Sequence, residues 1–210
     1  IRNLLGFPAG ISGAALATRA YEQAWLFGAK FLFMHAVTAL RPGTREHTTV
    51  LSNGTELRSR AVILATGVTY RRLGIPSLEA FRGLGVFYGA AVSEARAVEG
   101  QQVIVAGGGN SAGQAALHLA DYAAQVTILV RGTTLATGMS DYLIKEIDAA
   151  ANIQVRFETE LVGGEGQGRL ETLVVRDRST DDQRRIAATA LFVLIGAEPR
   201  TDWLPPGVER

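Results

Sequence analysis

A glycine-rich run is the part of this sequence whose residue types and spacing point most directly to chemistry. It consists of Gly107, Gly108, Gly109, Asn110, Ser111 and Ala112. The run fits the pattern G-x-G-x-x-G/A, in which the first glycine permits a tight turn and the second lets a pyrophosphate approach the backbone. The last small residue lets a helix pack closely on a strand. We therefore predict a phosphate-binding turn, with the Asn110 and Ser111 side chains available for further hydrogen bonds.

The elements on either side of the run are those that such a turn requires. Residues 102–106 predict a buried strand, 112–123 a helix, and 125–130 the next strand. The phosphates of a dinucleotide would then meet free N–H groups and the positive end of the helix dipole. A turn that only packs a helix on a strand is the alternative. The complete strand–turn–helix–strand context favours dinucleotide binding over that alternative.

An arginine, Arg131, stands where the second of these strands ends. An acidic residue at this point would bind the ribose 2′-hydroxyl of NAD, whereas a cation favours the 2′-phosphate of NADP. Arg131 therefore predicts NADP as the cofactor, with NAD as the alternative. The position is also compatible with a solvated arginine at a strand end.

The composition argues against several classes of function. The 210 residues include 21 Lys+Arg and 20 Asp+Glu, a net charge of +1, and the cations form no stripe that would bind nucleic acid. The absence of cysteine rules out a dithiol redox centre in this chain, and three scattered histidines offer little to a metal. No apolar run approaches the ~18 residues of a membrane span, and nothing resembles a signal peptide. We expect a cytoplasmic protein with no metal, no nucleic acid and no membrane among its partners.

The remaining sequence alternates helical and extended patterns. We predict helices over 12–33 and 140–150, capped by Ser12 and Ser140, and strands at 36–41, 48–51, 56–59, 61–65, 153–157, 170–176, 184–187 and 190–195, with a connector over 71–85. Residues 37–67 and 160–196 share one layout, a β-meander followed by a buried strand that ends in glycine. This predicts two copies of one architectural unit, although antiparallel meanders are also common by chance.

Five segments, in order along the chain, form a recognisable set: Ile1-Arg2-Asn3, Ala65-Thr66-Gly67, the run at 107–112, the strand 126–131, and the segment 194–199 that includes Ile195 and Gly196. Together they resemble the low-molecular-weight thioredoxin reductases. The resemblance implies an α/β fold with FAD- and NAD(P)-binding three-layer architecture, a Rossmann-like parallel sheet with a β-meander. It implies a partial FAD domain over 1–84, a complete NAD(P) domain over 85–197, and a return linker over 198–210.

The same resemblance implies the cofactors and the residues that contact them. NADP would lie on the run at 107–112 and Arg131, with Gln114 at a position near the nicotinamide and Ile195 and Gly196 close by. FAD would lie near Asn3 and the segment 65–67. The FAD pyrophosphate turn of the family has no counterpart here, and residue 1 is not Met. We therefore expect this chain to be a piece of a longer protein, whose relatives are usually homodimers.

The sequence departs from the family where the redox dithiol should be. The two cysteines are replaced by Gly89 and Val92, and the neighbouring aspartate by Ser93. The family's basic cluster is reduced to Arg131, with Gly132 and Ala136 at the other places. A chain without a thiolate does not exchange with a disulfide by the usual route.

These features predict a flavoprotein that transfers hydride from NAD(P)H to FAD and passes electrons to an unidentified acceptor other than an internal dithiol. Two alternatives remain at this point. The chain could be a non-catalytic NAD(P)H sensor in a larger protein, or a thioredoxin reductase whose dithiol lies elsewhere, for example on another chain.

Overall fold

The computed structural model describes residues 4–89 and 92–209. It divides into two compact units, one of residues 1–64 with 201–210 and one of residues 65–200. We call them the first and the second unit. No helix of the described residues has the length and apolar character needed to cross a membrane.

The first unit contains one helix and one antiparallel sheet. Helix α1 spans Gly13–Leu26, and the Ser12 hydroxyl caps it by accepting a hydrogen bond from the Ala15 N–H at 3.1 Å. The strands are β1 (Val37–Arg41), β2 (His47–Leu51) and β3 (Glu56–Ser59), paired in the order β1-β2-β3. The turn between β2 and β3 contains Asn53 and Gly54, and Gly54 adopts φ +83°, a left-handed conformation that suits glycine in a hairpin turn.

Two predictions for the first unit are wrong. Helix α1 ends at Leu26 rather than residue 33, because Gly28 adopts φ +82° and takes the backbone out of the helical conformation. The predicted buried strand at 61–65 is absent, and Ile63 is 91% exposed. An apolar run forms a buried strand only where neighbouring strands satisfy its backbone groups, and no described strand pairs with this segment.

The second unit is built on a five-stranded parallel sheet. Its strands in spatial order are β5 (Val86–Tyr88), β12 (Ala190–Val193), β6 (Gln102–Ala106), β7 (Gln125–Leu129) and β8 (Ile153–Arg156). Three further elements are the helices α3 (Val92–Ala97), α4 (Asn110–Ala120) and α5 (Asp141–Ala149). A meander of β9 (Thr159–Glu165), β10 (Thr172–Asp177) and β11 (Gln183–Ala187) completes the three layers. The predicted three-layer α/β fold is confirmed.

Alternating side chains of the parallel strands fill two separate cores. In β6, Val103 and Val105 pack in the core that holds α4 and α5, while Ile104 and Ala106 pack in the core that holds the meander. Because both faces of the sheet are covered, the strands are apolar at nearly every position. This explains the continuous apolar runs of the sequence.

The connections contain short elements that the sequence patterns did not predict. They are β4 (Val68–Tyr70), α2 (Pro76–Glu79), β5, α3 and β13 (Ala197–Pro199). Strands β4 and β13 pair antiparallel, so the chain enters and leaves the second unit side by side. Both predicted meanders are present, but only the second is followed by a paired parallel strand.

Candidate nucleotide-binding site

A cavity of about 590 Å³ lies in the second unit, at the carboxyl ends of β6, β7 and β12. This is where open α/β sheets bind their ligands. Its walls come from the glycine-rich run at 107–111, from Ala106, Leu129 and Arg131, from residues 159–161 and 194–196, and from Arg72, Leu73 and Ile75. The structure therefore brings together the predicted glycine-rich run, Arg131, Ile195 and Gly196.

Gly107 is required by the protein itself. Its φ is +144°, and a Cβ there would stand 2.3 Å from the Leu194 carbonyl oxygen and 3.2 Å from the Ala112 Cβ. No larger residue fits this turn without moving backbone. Ala112 is fully buried beneath the turn, as close helix–strand packing requires.

Gly109 has a different reason for being small. A Cβ at this position would stand 3.6 Å from the Gly138 carbonyl oxygen, an ordinary van der Waals contact. The backbone at 109 is extended (φ −102°) and would accept a side chain. Packing within the chain therefore tolerates a Cβ at 109, so the space above it is open to a ligand.

Free backbone donors surround this space. Within the described part of the chain, the N–H groups of residues 108–111 are bonded to no acceptor. They stand at the start of α4, where the helix dipole is positive and no acidic side chain occupies the first turn. This combination suits the phosphates of a nucleotide.

Asn110 has a structural role in addition to the one predicted. Its Oδ1 accepts a hydrogen bond from the Ser140 N–H at 2.7 Å, which joins the start of α4 to the start of α5. The Ser140 hydroxyl makes no capping bond, so the Asn110 side chain provides an acceptor at that helix start.

The meander holds the segment around Arg131 in place. The Thr159 N–H donates to the Val130 carbonyl at 3.0 Å, and the Glu158 N–H donates to the Gly132 carbonyl at 3.0 Å. The guanidinium of Arg178 reaches across from the end of β10 and donates to the Arg131 carbonyl at 2.8 Å. A second cation, 47 residues further along the chain, therefore stands beside Arg131.

A carboxylate, Glu160, lines the same cavity as Arg131. It accepts a hydrogen bond from the Arg176 guanidinium at 2.9 Å, and the two side chains are 32% and 38% exposed. The hydrogen bond from Arg176 is the main reason that the pKa of Glu160 is lowered. The charges of Arg178 and Arg131 lower it further, so Glu160 is an anion among three cations.

Tyr88 fixes the connector that carries Arg72 and Leu73 to the cavity. Its hydroxyl donates to the Glu79 carboxylate and accepts from the Leu73 N–H at 3.1 Å. Partial burial is the main cause of the raised pKa of Tyr88, and the hydrogen bond to Glu79 is the second. The end of β5, helix α2 and the cavity wall are thereby linked.

Other predicted contact residues lie away from the cavity. Gln114 is half-buried on α4 and is not part of the cavity wall. Residues 65–67 stand where β4 and β13 meet, and the Thr66 hydroxyl donates to the Arg200 carbonyl at 2.8 Å. Asn3 lies outside the described residues, so its predicted contact with a flavin remains a prediction.

Four charged residues in or beside the cavity wall were not predicted as site residues from the sequence: Arg72, Glu160, Arg176 and Arg178. None of them belongs to a local motif, since they come from a connector and from a meander that passes the strand ends. The only available signal was the general rule that segments following the parallel strands gather at one edge of the sheet.

Comparison with known proteins identifies a family that matches most of the chain. The pyridine nucleotide-disulphide oxidoreductase family matches residues 9–210. The chain belongs to this family. Membership implies a nicotinamide nucleotide and FAD as the family's cofactors. The resemblance to thioredoxin reductases is likewise confirmed.

Two curated relatives and one solved structure illustrate the similarity. The chain is 34% identical over 202 residues to one of the alkyl hydroperoxide reductase subunits of Pseudomonas putida, covering 94% of this chain and 38% of that protein. It is 33% identical over 202 residues to thioredoxin reductase of Streptomyces clavuligerus, covering 96% and 62%. The crystal structure of Lactococcus lactis thioredoxin reductase superposes with a TM-score of 0.85 at 24% identity, covering 97% and 65%. The chain thus spans less than two thirds of each of these proteins.

The described site fits a nicotinamide dinucleotide better than it fits FAD. The open backbone donors, the space above Gly109 and the cation Arg131 suit a nicotinamide dinucleotide. In the described residues no second G-x-G-x-x-G/A turn joins a strand to a helix, so these residues provide no comparable cradle for the FAD pyrophosphate.

Proposed function

We propose that the intact protein is a thioredoxin reductase-like flavoprotein that transfers hydride from NAD(P)H to FAD. The observation that carries this proposal is the cavity on the glycine-rich turn, where Gly109 is small without any need from the protein's own packing. The nicotinamide nucleotide would supply the hydride, and the residues of this chain would bind and orient the nucleotide.

Each part of the cavity has a proposed role in binding. The backbone N–H groups of 108–111 hold the pyrophosphate, with the Asn110 and Ser111 side chains beside it. Arg131 binds the 2′-phosphate and favours NADP, with NAD as the alternative. Ile195 and Gly196, which line the cavity, contact the nicotinamide half. The family resemblance also assigns Gln114 to the nicotinamide, and Asn3 and residues 65–67 to the flavin, although Gln114 and residues 65–67 do not line this cavity.

The electrons leave by a route other than an internal dithiol. The 210 residues contain no cysteine, and the residues at the family's two cysteine positions are Gly89 and Val92. No thiolate of these 210 residues attacks a disulfide, so the acceptor lies outside them.

The proposed domain organisation keeps an FAD-binding part at 1–84, an NAD(P)-binding part at 85–197 and a return segment at 198–210. The compact second unit begins earlier, at residue 65, because β4 pairs with β13 and the connector 71–75 packs on the nucleotide cavity. The proposed NAD(P) site lies entirely within this unit.

A second candidate function is a non-catalytic NAD(P)H sensor. It is favoured because, among the described residues, only the run at 107–112 is a G-x-G-x-x-G/A turn that joins a strand to a helix, and a sensor needs a nucleotide site and no flavin. Both functions require the same cavity, and they differ in whether the intact protein carries a flavin.

The deciding experiment is a visible absorption spectrum of the purified intact protein before and after anaerobic addition of NADPH. The oxidoreductase proposal predicts a flavin band that bleaches on addition. A colourless protein that still binds NADPH would contradict it and leave the sensor.

A further inference from the structure

The adenosine end of the proposed cavity contains charges of both signs. Arg131 and Glu160 line the same cavity. Backbone hydrogen bonds from Glu158 and Thr159 to the residues flanking Arg131 hold the two side chains on neighbouring segments. A nucleotide phosphate at Arg131 would therefore also meet the carboxylate of Glu160.

The carboxylate is positioned for hydrogen bonding. The Arg176 guanidinium donates to its Oε2 at 2.9 Å, and about a third of the side chain remains exposed towards the cavity and solvent. Arg176 also faces Asp181 at 3.5 Å, so its charge is shared between two carboxylates. Glu160 thus keeps its negative charge and has acceptor capacity left for a ligand.

Charge chemistry then separates the two nicotinamide nucleotides. A carboxylate accepts hydrogen bonds from the ribose hydroxyls of NADH, whereas it repels the 2′-phosphate of NADPH. Arg131 acts in the opposite direction, since it attracts that phosphate. The preference between NADH and NADPH would therefore depend on both charges together, the attraction by Arg131 and the repulsion by Glu160, more than on either side chain alone.

We propose that Glu160 is a specificity-determining residue that accepts a ribose hydroxyl of NADH, so that this site uses NADH as well as NADPH. The inference rests on the proposed nucleotide-binding function. It gives the site a coenzyme choice that Arg131, two residues after the end of β7, does not reveal by itself.

The test compares the dissociation constants of NADH and NADPH for the wild type and for Glu160→Gln. Because a hydrogen bond to a charged group contributes about 1.5–3 kcal/mol, we expect the ratio of NADH to NADPH dissociation constants to rise roughly tenfold or more. NADH should bind more weakly and NADPH as tightly or more tightly. A purely structural role of Glu160 would weaken both nucleotides alike.

The chain offers a matched control on the same strand. Glu165 on β9 pairs with Arg185 at 3.0 Å, as Glu160 pairs with Arg176, but it does not line the cavity. Glu165→Gln should leave the ratio of the two dissociation constants unchanged. Thermal denaturation would show that both variants remain folded.

The outcomes distinguish this inference from the function on which it rests. An unchanged ratio in Glu160→Gln, with both nucleotides bound by the wild type, would overturn the role of Glu160 alone. A wild type that binds neither nucleotide would overturn the proposed function, and the role of Glu160 with it.

Discussion

At the scale of single residues, the site depends on which glycines the fold needs and which it does not. Gly107 is confined by the Leu194 carbonyl at 2.3 Å from its missing Cβ, while Gly109 has an ordinary 3.6 Å separation from Gly138. The motif predicted a glycine at both positions. It could not distinguish the two roles, because the atoms that an added Cβ would meet come from distant segments of the chain. Ile195 and Gly196 line the same cavity as the glycine-rich run, and their contact with a nucleotide stays a prediction.

The prediction at the scale of single residues concerns the effect of Arg131 on nucleotide binding. Arg131→Ala should weaken NADPH binding roughly 10- to 100-fold, because a hydrogen bond to a charged phosphate contributes about 1.5–3 kcal/mol. NADH should be affected far less, since it has no 2′-phosphate. The measurement is a fluorescence titration with each nucleotide.

Arg169→Ala serves as the control for this substitution. Arg169 is an exposed arginine of the same unit, outside the cavity wall. Equal losses for NADPH and NADH in Arg131→Ala would show that Arg131 is no 2′-phosphate ligand.

At the scale of elements, hydrophobic pattern predicted the long elements of the second unit well and the connections poorly. Strand β6 was predicted with its observed bounds, and α4 and α5 were predicted within a few residues. In each of these elements, the apolar residues of the sequence mark the positions that are buried. Strands β4 and β13 have three residues each, and their pairing depends on a partner more than a hundred residues away.

The link from Tyr88 to the connector supplies a prediction about stability. Tyr88→Phe removes the bonds to Glu79 and to the Leu73 N–H, so we expect a loss of about 1 kcal/mol in the free energy of unfolding near neutral pH. Because the pKa of Tyr88 is raised in the folded protein, its contribution is present below the ordinary tyrosine pKa and is lost as the pH rises through the folded value.

Chemical denaturation between about pH 8 and about pH 11 tests this dependence. The wild type should lose more stability over that interval than Tyr88→Phe. Tyr70→Phe is the control, because Tyr70 is half exposed on β4 and its hydroxyl makes no hydrogen bond within the described residues. Parallel curves for the wild type and Tyr88→Phe would contradict the account of Tyr88.

At the scale of the whole molecule, the two units differ in how much of their apolar surface they bury. Both large cores belong to the second unit, whereas α1 has no buried residue and Phe27 and Met34 are 83% and 97% exposed. Hydrophobic pattern shows what a segment is suited to bury, but it does not show whether a covering partner is present. This is why the predicted strand at 61–65 failed while the equally apolar β6 formed.

The second unit therefore carries the central claim, which is that its cavity binds a nicotinamide nucleotide. The most direct test is calorimetric titration of NADPH into the intact protein and into Gly109→Val, with Gly13→Val as the control, since a Cβ at Gly13 meets nothing within 4 Å. We predict saturable binding by the wild type and the control, and at least a roughly tenfold loss in a folded Gly109→Val, because the new side chain blocks the pyrophosphate from the backbone. Unchanged affinity in that variant would contradict the claim.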